Sequence, residues 1–300
     1  MTLKLIYQGD ERMKTKKTST FSIVGFDPET EELGVAVQSK FLAAGAIVPY
    51  IKAGVGAIAT QALANPAYGP DGIELLEKGH SPSEVIEILT KEDDGSRHRQ
   101  LGIVDIKGQS ANYTGDECLD WAGGLTGDNF AVQGNILVNK ETVEAMAKTF
   151  EDTDGRLADR LLKALKSGQS AGGDSRGQQA AALLVYKENG GYGGLTDKYI
   201  DLRVDDHPEP IEKLAELLDL FYLYFLESDV DHVELKGQQL IEVQELLVDF
   251  GLYDGPVDGE FNQDFEKALN SFYSRENFEE RIPEGRTMPL DILEYLRSRV

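Results

Sequence analysis

Two apolar, β-branched runs separated by a short polar break constrain this chain more than any other feature. The first, residues 20–26, holds Phe21, Ile23, Val24 and Phe26; the second, residues 33–40, holds Leu33, Val35 and Val37. Between them stands Asp27-Pro28-Glu29-Thr30. Branched and aromatic side chains suit a pleated backbone, and Pro beside Asp marks a turn, so the segment predicts a β-hairpin. Thr20 opens its first strand, and the polar cluster Gln38-Ser39-Lys40 closes its second.

The same reading extends along the chain. After a Gly/Ala-rich segment at 41–56, strands are expected at 56–61, 101–106, 110–113, 130–137, 180–186 and 199–204. Helical spacing appears at 72–78, from Ser81-Pro82 through Leu89, at 140–150, at 154–166 and at 210–226. Ser81 is a good N-cap, and Pro82 suits the first helical position. Lys107-Gly108-Gln109 and Asn189-Gly190-Gly191 read as turns between strands. Hairpin-like connections dominate, which argues for antiparallel sheets with segregated helices rather than a doubly wound parallel sheet. The fold class is α+β, and a four-layer αββα sandwich fits the order.

Residues 227–237 look like a hinge. Beyond them the chain becomes more acidic, with Leu240, Val243, Leu246 and Leu247 at helical spacing. A Gly-rich loop around Gly255 and Gly259 precedes a second helix carrying Phe265, Ala268, Leu269 and Phe272. The domains expected are a leader at 1–19, a main domain at 20–228 and a small all-α domain at 232–300. Met13 is an alternative start to Met1.

A net charge of −23 over 300 residues argues against nucleic acid and anionic membranes as partners, because both need basic patches. The single cysteine, Cys118, excludes an internal disulfide framework and a Cys-rich zinc site. No run approaches the roughly 18 apolar residues of a membrane span. Residues 1–17 carry charges without an apolar stretch, unlike a signal peptide, so a cytoplasmic location is expected. His80, His98 and His232 are isolated and lack metal-ligand spacing, so neither metal nor cofactor is expected. Asp254, Asp258 and Glu260 imitate part of a calcium loop but miss the EF-hand spacing. Asp205-Asp206-His207-Pro208 reads first as a cap on the following helix, with a metal site or proton shuttle as the alternative.

Several blocks in order carry a family resemblance. They are Thr20-Phe21-Ser22-Ile23-Val24, Gly34-Val35-Ala36-Val37-Gln38-Ser39, and Ala53-Gly54-Val55-Gly56-Ala57-Ile58-Ala59-Thr60-Gln61. Asn65-Pro66-Ala67-Tyr68-Gly69, Gln133-Gly134-Asn135, Gly172-Gly173-Asp174-Ser175-Arg176-Gly177-Gln178 and Asp201-Leu202-Arg203-Val204-Asp205-Asp206-His207 complete the set. On these, residues 20–225 resemble domain-of-unknown-function family 1028, placed among the N-terminal-nucleophile (Ntn) hydrolase-like folds. The tail resembles a peptidoglycan-binding-like helical module through Val243-Gln244-Glu245-Leu246-Leu247, Tyr253-Asp254-Gly255 and Val257-Asp258-Gly259-Glu260-Phe261. It departs from such modules at Phe265, where a small hydroxyl residue is usual, and at Tyr273, where Gln is common.

The resemblance implies an αββα sandwich and an amide-splitting chemistry. An Ntn hydrolase attacks with the side chain of its first residue and uses its own α-amine as base, which titrates at about 7.7–8.0. Thr20 is then the nucleophile candidate, which requires cleavage of the Ser19–Thr20 bond. Gln38 and Ser39 fall in the polar cluster of the second strand, with Gln38 where a carboxylate would stand. Lys52 lies near the place of a helper lysine, and Asn135 is a candidate oxyanion donor. Gln61, Asn65, Asp174, Arg176 and Gln178 are candidate substrate-binding residues, with Asp174 and Arg176 able to grip a carboxylate. Against these stand plainer readings: Thr20 as an ordinary strand former, and Asp174–Arg176 as a structural ion pair. Neutral Gln38 and the leader also fit a ligand-binding or scaffold protein that kept the fold without the chemistry. The expected partners are a small-molecule or peptide-like amide, a peptidoglycan fragment for the tail, and a second copy in a homodimer.

Overall fold

The computed structural model describes residues 20–225 and 231–300. The expected leader, with Met13, lies outside the described residues, as does part of the expected hinge. Contacts divide the chain into two compact units between Glu216 and Leu217. The division falls inside a helix.

In the first unit, β1 (Thr20–Asp27) and β2 (Glu32–Ser39) form the expected hairpin. They occupy the middle of a six-stranded antiparallel sheet completed by β7 (Gly123–Gly127), β8 (Phe130–Asn135), β9 (Ala180–Tyr186) and β10 (Lys198–Val204). Its order is β10-β9-β2-β1-β8-β7. A second sheet of order β3-β4-β5-β6 is built from β3 (Pro49–Lys52), β4 (Gly56–Ala62), β5 (Arg99–Asp105) and β6 (Ser110–Thr114). Helices α1 (Tyr68–Glu77) and α2 (Pro82–Lys91) pack on this smaller sheet. Helices α3 (Glu141–Asp152) and α4 (Leu157–Ser170) pack on the larger one. The sheets face each other, so the layers run helix, sheet, sheet, helix: the αββα sandwich expected.

Alternation along the strands produces the layers. Val24, Phe26, Val35, Val37, Ala57, Ala59, Val104 and Leu184 meet between the sheets. Ile58, Leu101 and Ile103, of opposite parity, pack toward α1 and α2 with Tyr68, Val85 and Leu89. Gly34 lets α4 approach closely: a Cβ there would sit 2.4 Å from a methyl of Leu161. Helix α2 starts as its sequence dictates, with Ser81 and Glu84 forming a reciprocal capping box and Pro82 behind the cap.

In this unit two strands escaped the sequence reading. β7 is Gly-Gly-Leu-Thr-Gly and lacks the branched residues that announce a strand; β8 holds it in register. β3 lies in the segment read only as Gly/Ala-rich.

The second unit contains the last part of α5 (Pro210–Phe225) with α6 (Gly237–Asp249), α7 (Gln263–Arg275) and α8 (Leu290–Arg297). It is helical as expected, with one addition. A short ribbon pairs β11 (His232–Glu234) with β12 (Thr287–Pro289), and β11 lies within the expected hinge. The two unusual aromatic positions have a physical role. Phe265 and Tyr273 are fully buried beside Leu240, Val243, Leu247 and Phe272, and Phe265 makes edge contacts with Tyr253 and Phe261.

Candidate active site

The inward face of the sandwich is apolar except at one end. There Thr20 is buried in the middle of the larger sheet, paired with Ser39 on β2 and with Asn135 on β8. Its Oγ1 lies 3.1 Å from Ser39 Oγ. Across the gap, Gln61 of β4 donates from Nε2 to the Thr20 carbonyl at 3.3 Å and to Gln100 Oε1 of β5 at 2.8 Å.

These contacts belong to a wider buried network. Ser22 Oγ donates to Gln61 Oε1 at 2.6 Å and accepts from Gln133 Nε2 at 2.7 Å. Gln100 Oε1 also accepts from Asn135 Nδ2 at 2.9 Å. Gln100 Nε2 in turn donates to the Gly134 carbonyl at 2.8 Å and to Thr114 Oγ1 at 2.9 Å. Thr20, Ser22, Gln61, Gln100, Gln133 and Asn135 are each at most 1% exposed, and none carries a side-chain charge. A buried polar group left unmet costs about 1–3 kcal/mol, so each bond locks its neighbour. Gly102 makes the network sterically feasible: a Cβ there would lie 1.9 Å from Gln133 Oε1. The backbone is strained directly behind two of these residues. Ala62, after Gln61, has φ 64°, and the β-branched Ile136, after Asn135, has φ 52°.

Two Asp–Arg pairs flank this neutral centre. Asp174 is buried and accepts from the Lys40 and Arg176 backbone N–H groups, both at 2.8 Å, and from the Arg176 guanidinium at 3.3 Å. Ser175 N–H donates to the Ile136 carbonyl at 3.0 Å. The 172–178 loop therefore lies across the ends of β2 and β8, on either side of Thr20. Beyond β4 and β5, Asp93 accepts from Arg99 Nε and Tyr68 OH, each at 2.9 Å, and from Asn65 Nδ2 at 3.2 Å. Burial pushes the Asp93 carboxyl up, but the Arg99, Gly95, Tyr68 and Asn65 hydrogen bonds outweigh it and hold it well below the usual carboxylate range.

The model for a family of unknown function, DUF1028, matches residues 20–214. The chain belongs to this family. A crystal structure of a DUF1028 protein from Silicibacter pomeroyi is 30% identical, with a TM-score of 0.63, covering 70% of this chain and 91% of its own. Anbu, an ancestral β-subunit from Yersinia bercovieri, is 12% identical, covering 70% of this chain and all of its own, with a TM-score of 0.30. A second model, for a proposed peptidoglycan binding domain, matches residues 224–296. No curated protein matches the chain.

Within this DUF1028 chain, the structure gathers Thr20, Ser39, Gln61 and Asn135 at one place. Asp174, Arg176 and Gln178 lie at its margin, with the Gln178 carbonyl accepting from Lys40 Nζ at 2.9 Å. Asn65 belongs to the Asp93 cluster. Two of the candidates lie elsewhere. Gln38 is one residue out of phase with Ser39, so it faces α4 rather than the space between the sheets. It is fully buried, and neither amide atom has a partner. Lys52 pairs with Gly56 at the opposite end of β4 from Gln61, and its ammonium is bound to Glu77.

Ser22, Gln100 and Gln133 were not singled out from sequence as site residues. Their signal was a polar residue at an inward position of an otherwise apolar strand, visible only once the pairing of separate strands is known. Among the described residues, no group of three or more His, Cys, Asp or Glu could hold a metal ion, and no helix is long and apolar enough to cross a membrane. The DUF1028 site can thus offer hydroxyl and amide hydrogen bonds around one strand-opening threonine.

Proposed function

We propose that the sandwich of this chain is an Ntn-type amidohydrolase with Thr20 as nucleophile. The observation that carries the reading is the place of Thr20, on the central strand between Ser39 and Asn135 with its hydroxyl 3.1 Å from Ser39 Oγ. Cleavage of the Ser19–Thr20 bond frees the α-amine. That amine takes the proton from Oγ as Oγ attacks the substrate carbonyl carbon, and returns it to the leaving amine as the C–N bond breaks. The resulting ester is hydrolysed by water. Asn135, positioned by Gln100, stabilises the oxyanion.

With no charged side chain in the buried network, the α-amine sets the pH response. The rate rises with pH as the amine loses its proton, around pH 7.7–8.0. Intact mass and N-terminal sequencing of the native protein, followed by amide hydrolysis assays, test the reading. A chain starting at Thr20 is expected to hydrolyse amides, and Thr20→Ala to lower the rate at least about 10³-fold. A native chain that retains Ser19 rules out the free-amine mechanism.

A second reading has its own support. Gln38 is neutral and turned away from Thr20, and among the described residues no carboxylate or ammonium side chain enters the network. A chain that keeps Ser19 and still binds a ligand at this end would be a binding protein on the same fold. For the second unit, the matched model supports binding of peptidoglycan fragments. The full chain should then co-sediment with cell walls, and a chain ending at Glu216 should not.

A further inference from the structure

The second unit holds a cavity of about 390 Å³, lined by the exposed face of α7 and by the segment 282–287. Gln263, Glu266 and Asn270 stand three and four residues apart on that face of α7. The facing segment contributes Arg286. Leu269 and Tyr273 of the same helix add apolar surface. Tyr273, which stands where related modules commonly carry Gln, is fully buried, and its hydroxyl has no hydrogen-bond partner among the described residues. A phenylalanine there would serve the fold as well or better.

The charges of this unit single out Arg286. Lys236, Lys267, Arg275, Arg281 and Arg297 each pair with a carboxylate. Arg299 bonds the Tyr295 hydroxyl at 3.0 Å. Arg286 has no carboxylate partner among the described residues, in the more acidic part of the chain; its guanidinium lies over the Phe261 ring, 4.9 Å from the centre. A ring contact of this kind fixes the guanidinium plane and leaves its N–H donors open. Glu266 is likewise without a cation among the described residues, since neighbouring Lys267 pairs with Asp264. Glu266 and Arg286 therefore line one cavity with opposite charges and do not pair with each other. A ligand carrying both signs meets both at once.

We propose that this cavity binds the peptide part of a peptidoglycan fragment, at a residue that carries both a free carboxylate and a free ammonium. The carboxylate meets Arg286, the ammonium meets Glu266, and the aliphatic chain lies on Leu269 and Tyr273. Gln263 and Asn270 serve the peptide amides. The proposal rests on the reading of the second unit as a binder of peptidoglycan fragments. The choice of peptide over glycan comes from the two unpaired charges, which an uncharged sugar chain cannot use.

Calorimetry on the Thr20→Ala full chain tests the site with the candidate nucleophile removed. The probes are a stem tripeptide ending in diaminopimelic acid, the same peptide with its side-chain carboxyl amidated, and the same peptide with its side-chain amine acetylated. An N-acetylglucosamine oligomer is the glycan control. The free peptide should bind at least about tenfold tighter than either blocked form, and the oligomer should not compete. Arg286→Gln should bring the ratio against the amidated peptide close to one, while Arg286→Lys should keep part of it. Glu266→Gln should do the same to the ratio against the acetylated peptide. Both side chains are exposed, so the fold should survive each change. Equal binding of free and blocked peptides, ratios unchanged in Arg286→Gln and Glu266→Gln, or no binding of any peptide would overturn the proposal. Co-sedimentation with cell walls separates the two readings. Sedimentation without the peptide preference leaves wall binding standing and removes this site; an Arg286-dependent peptide preference without sedimentation does the reverse.

Discussion

The two ends of the αββα sandwich are built from different chemistry. At the end where β1 turns into β2, carboxylates close local turns. Asp27 accepts from Glu29 N–H, and Asp105 from the Lys107 and Gln109 N–H groups. Lys52–Glu77 and Lys187–Glu32 add ion pairs there. Burial pushes the Glu32 carboxyl up, with Lys187 pulling the other way. At the Thr20 end the buried network of hydroxyls and amides is neutral, with the buried Asp174 at its margin, and its bonds join strands far apart in sequence, such as Ser22 to Gln133 and Gln61 to Gln100. At one end the buried carboxylates close turns of their own segment, with ion pairs added around them; at the other the buried amides and hydroxyls bond between distant strands. A neutral network also fixes geometry without the desolvation cost of buried charge.

The largest effect is expected for Gln100→Leu, which strips partners from Gln61, Asn135 and the Gly134 carbonyl at once. It should cost about 3 kcal/mol in denaturant unfolding; a loss under about 1 kcal/mol would mean that the network is not what holds this end. Gly102→Ala comes next at about 2 kcal/mol, because Gln133 must give way to the new Cβ. Its double mutant with Gln133→Ala should recover part of that loss.

Asp93→Asn removes the half-buried partner of Arg99 and should cost about 1.5 kcal/mol at pH 7. The sign with pH follows from the lowered folded-state value of Asp93. Its contribution is complete above the unfolded carboxylate value of about 3.9 and disappears as pH falls toward the lower folded value. The gap between variant and parent should therefore narrow on acidification; a gap constant from pH 7 to pH 2 would refute the assignment.

Gln38→Met tests the opposite situation on the reverse face of the same strand. With neither amide atom partnered, replacement by an apolar side chain of similar size should leave stability unchanged or raise it by up to about 1 kcal/mol. A clear loss would show that Gln38 holds an internal water. The smallest change is expected for Lys52→Ala. It breaks a half-exposed pair at the turn end and should stay within about 0.5 kcal/mol, with no effect at the Thr20 end.

What was legible in the sequence was local. The Thr20–Ser39 hairpin, the Ser81-Pro82 helix start and the apolar faces of α4 and α7 follow from alternation, capping and helical spacing, which act over a few residues. The ribbon strands β11 and β12 and the glycine-rich β7 were hidden, because pairing rather than residue preference makes them strands. The same divide runs through the site. Thr20, Ser39 and Asn135 were found from motif blocks, and the structure places them side by side. Gln38 and Lys52 entered through the family resemblance; strand parity turns the first away from Thr20, and strand end sets the second apart from it.

From the amino-acid order alone follow the hairpin that carries Thr20 and the alternation that layers the sandwich. Which polar residues meet is set by the assembled fold. A side chain's face depends on the parity of its position, and its partners depend on the register of strands as distant as β1, β4, β5 and β8. No local preference encodes that register; it is set when the two apolar faces close on each other and every buried amide finds, or fails to find, a partner.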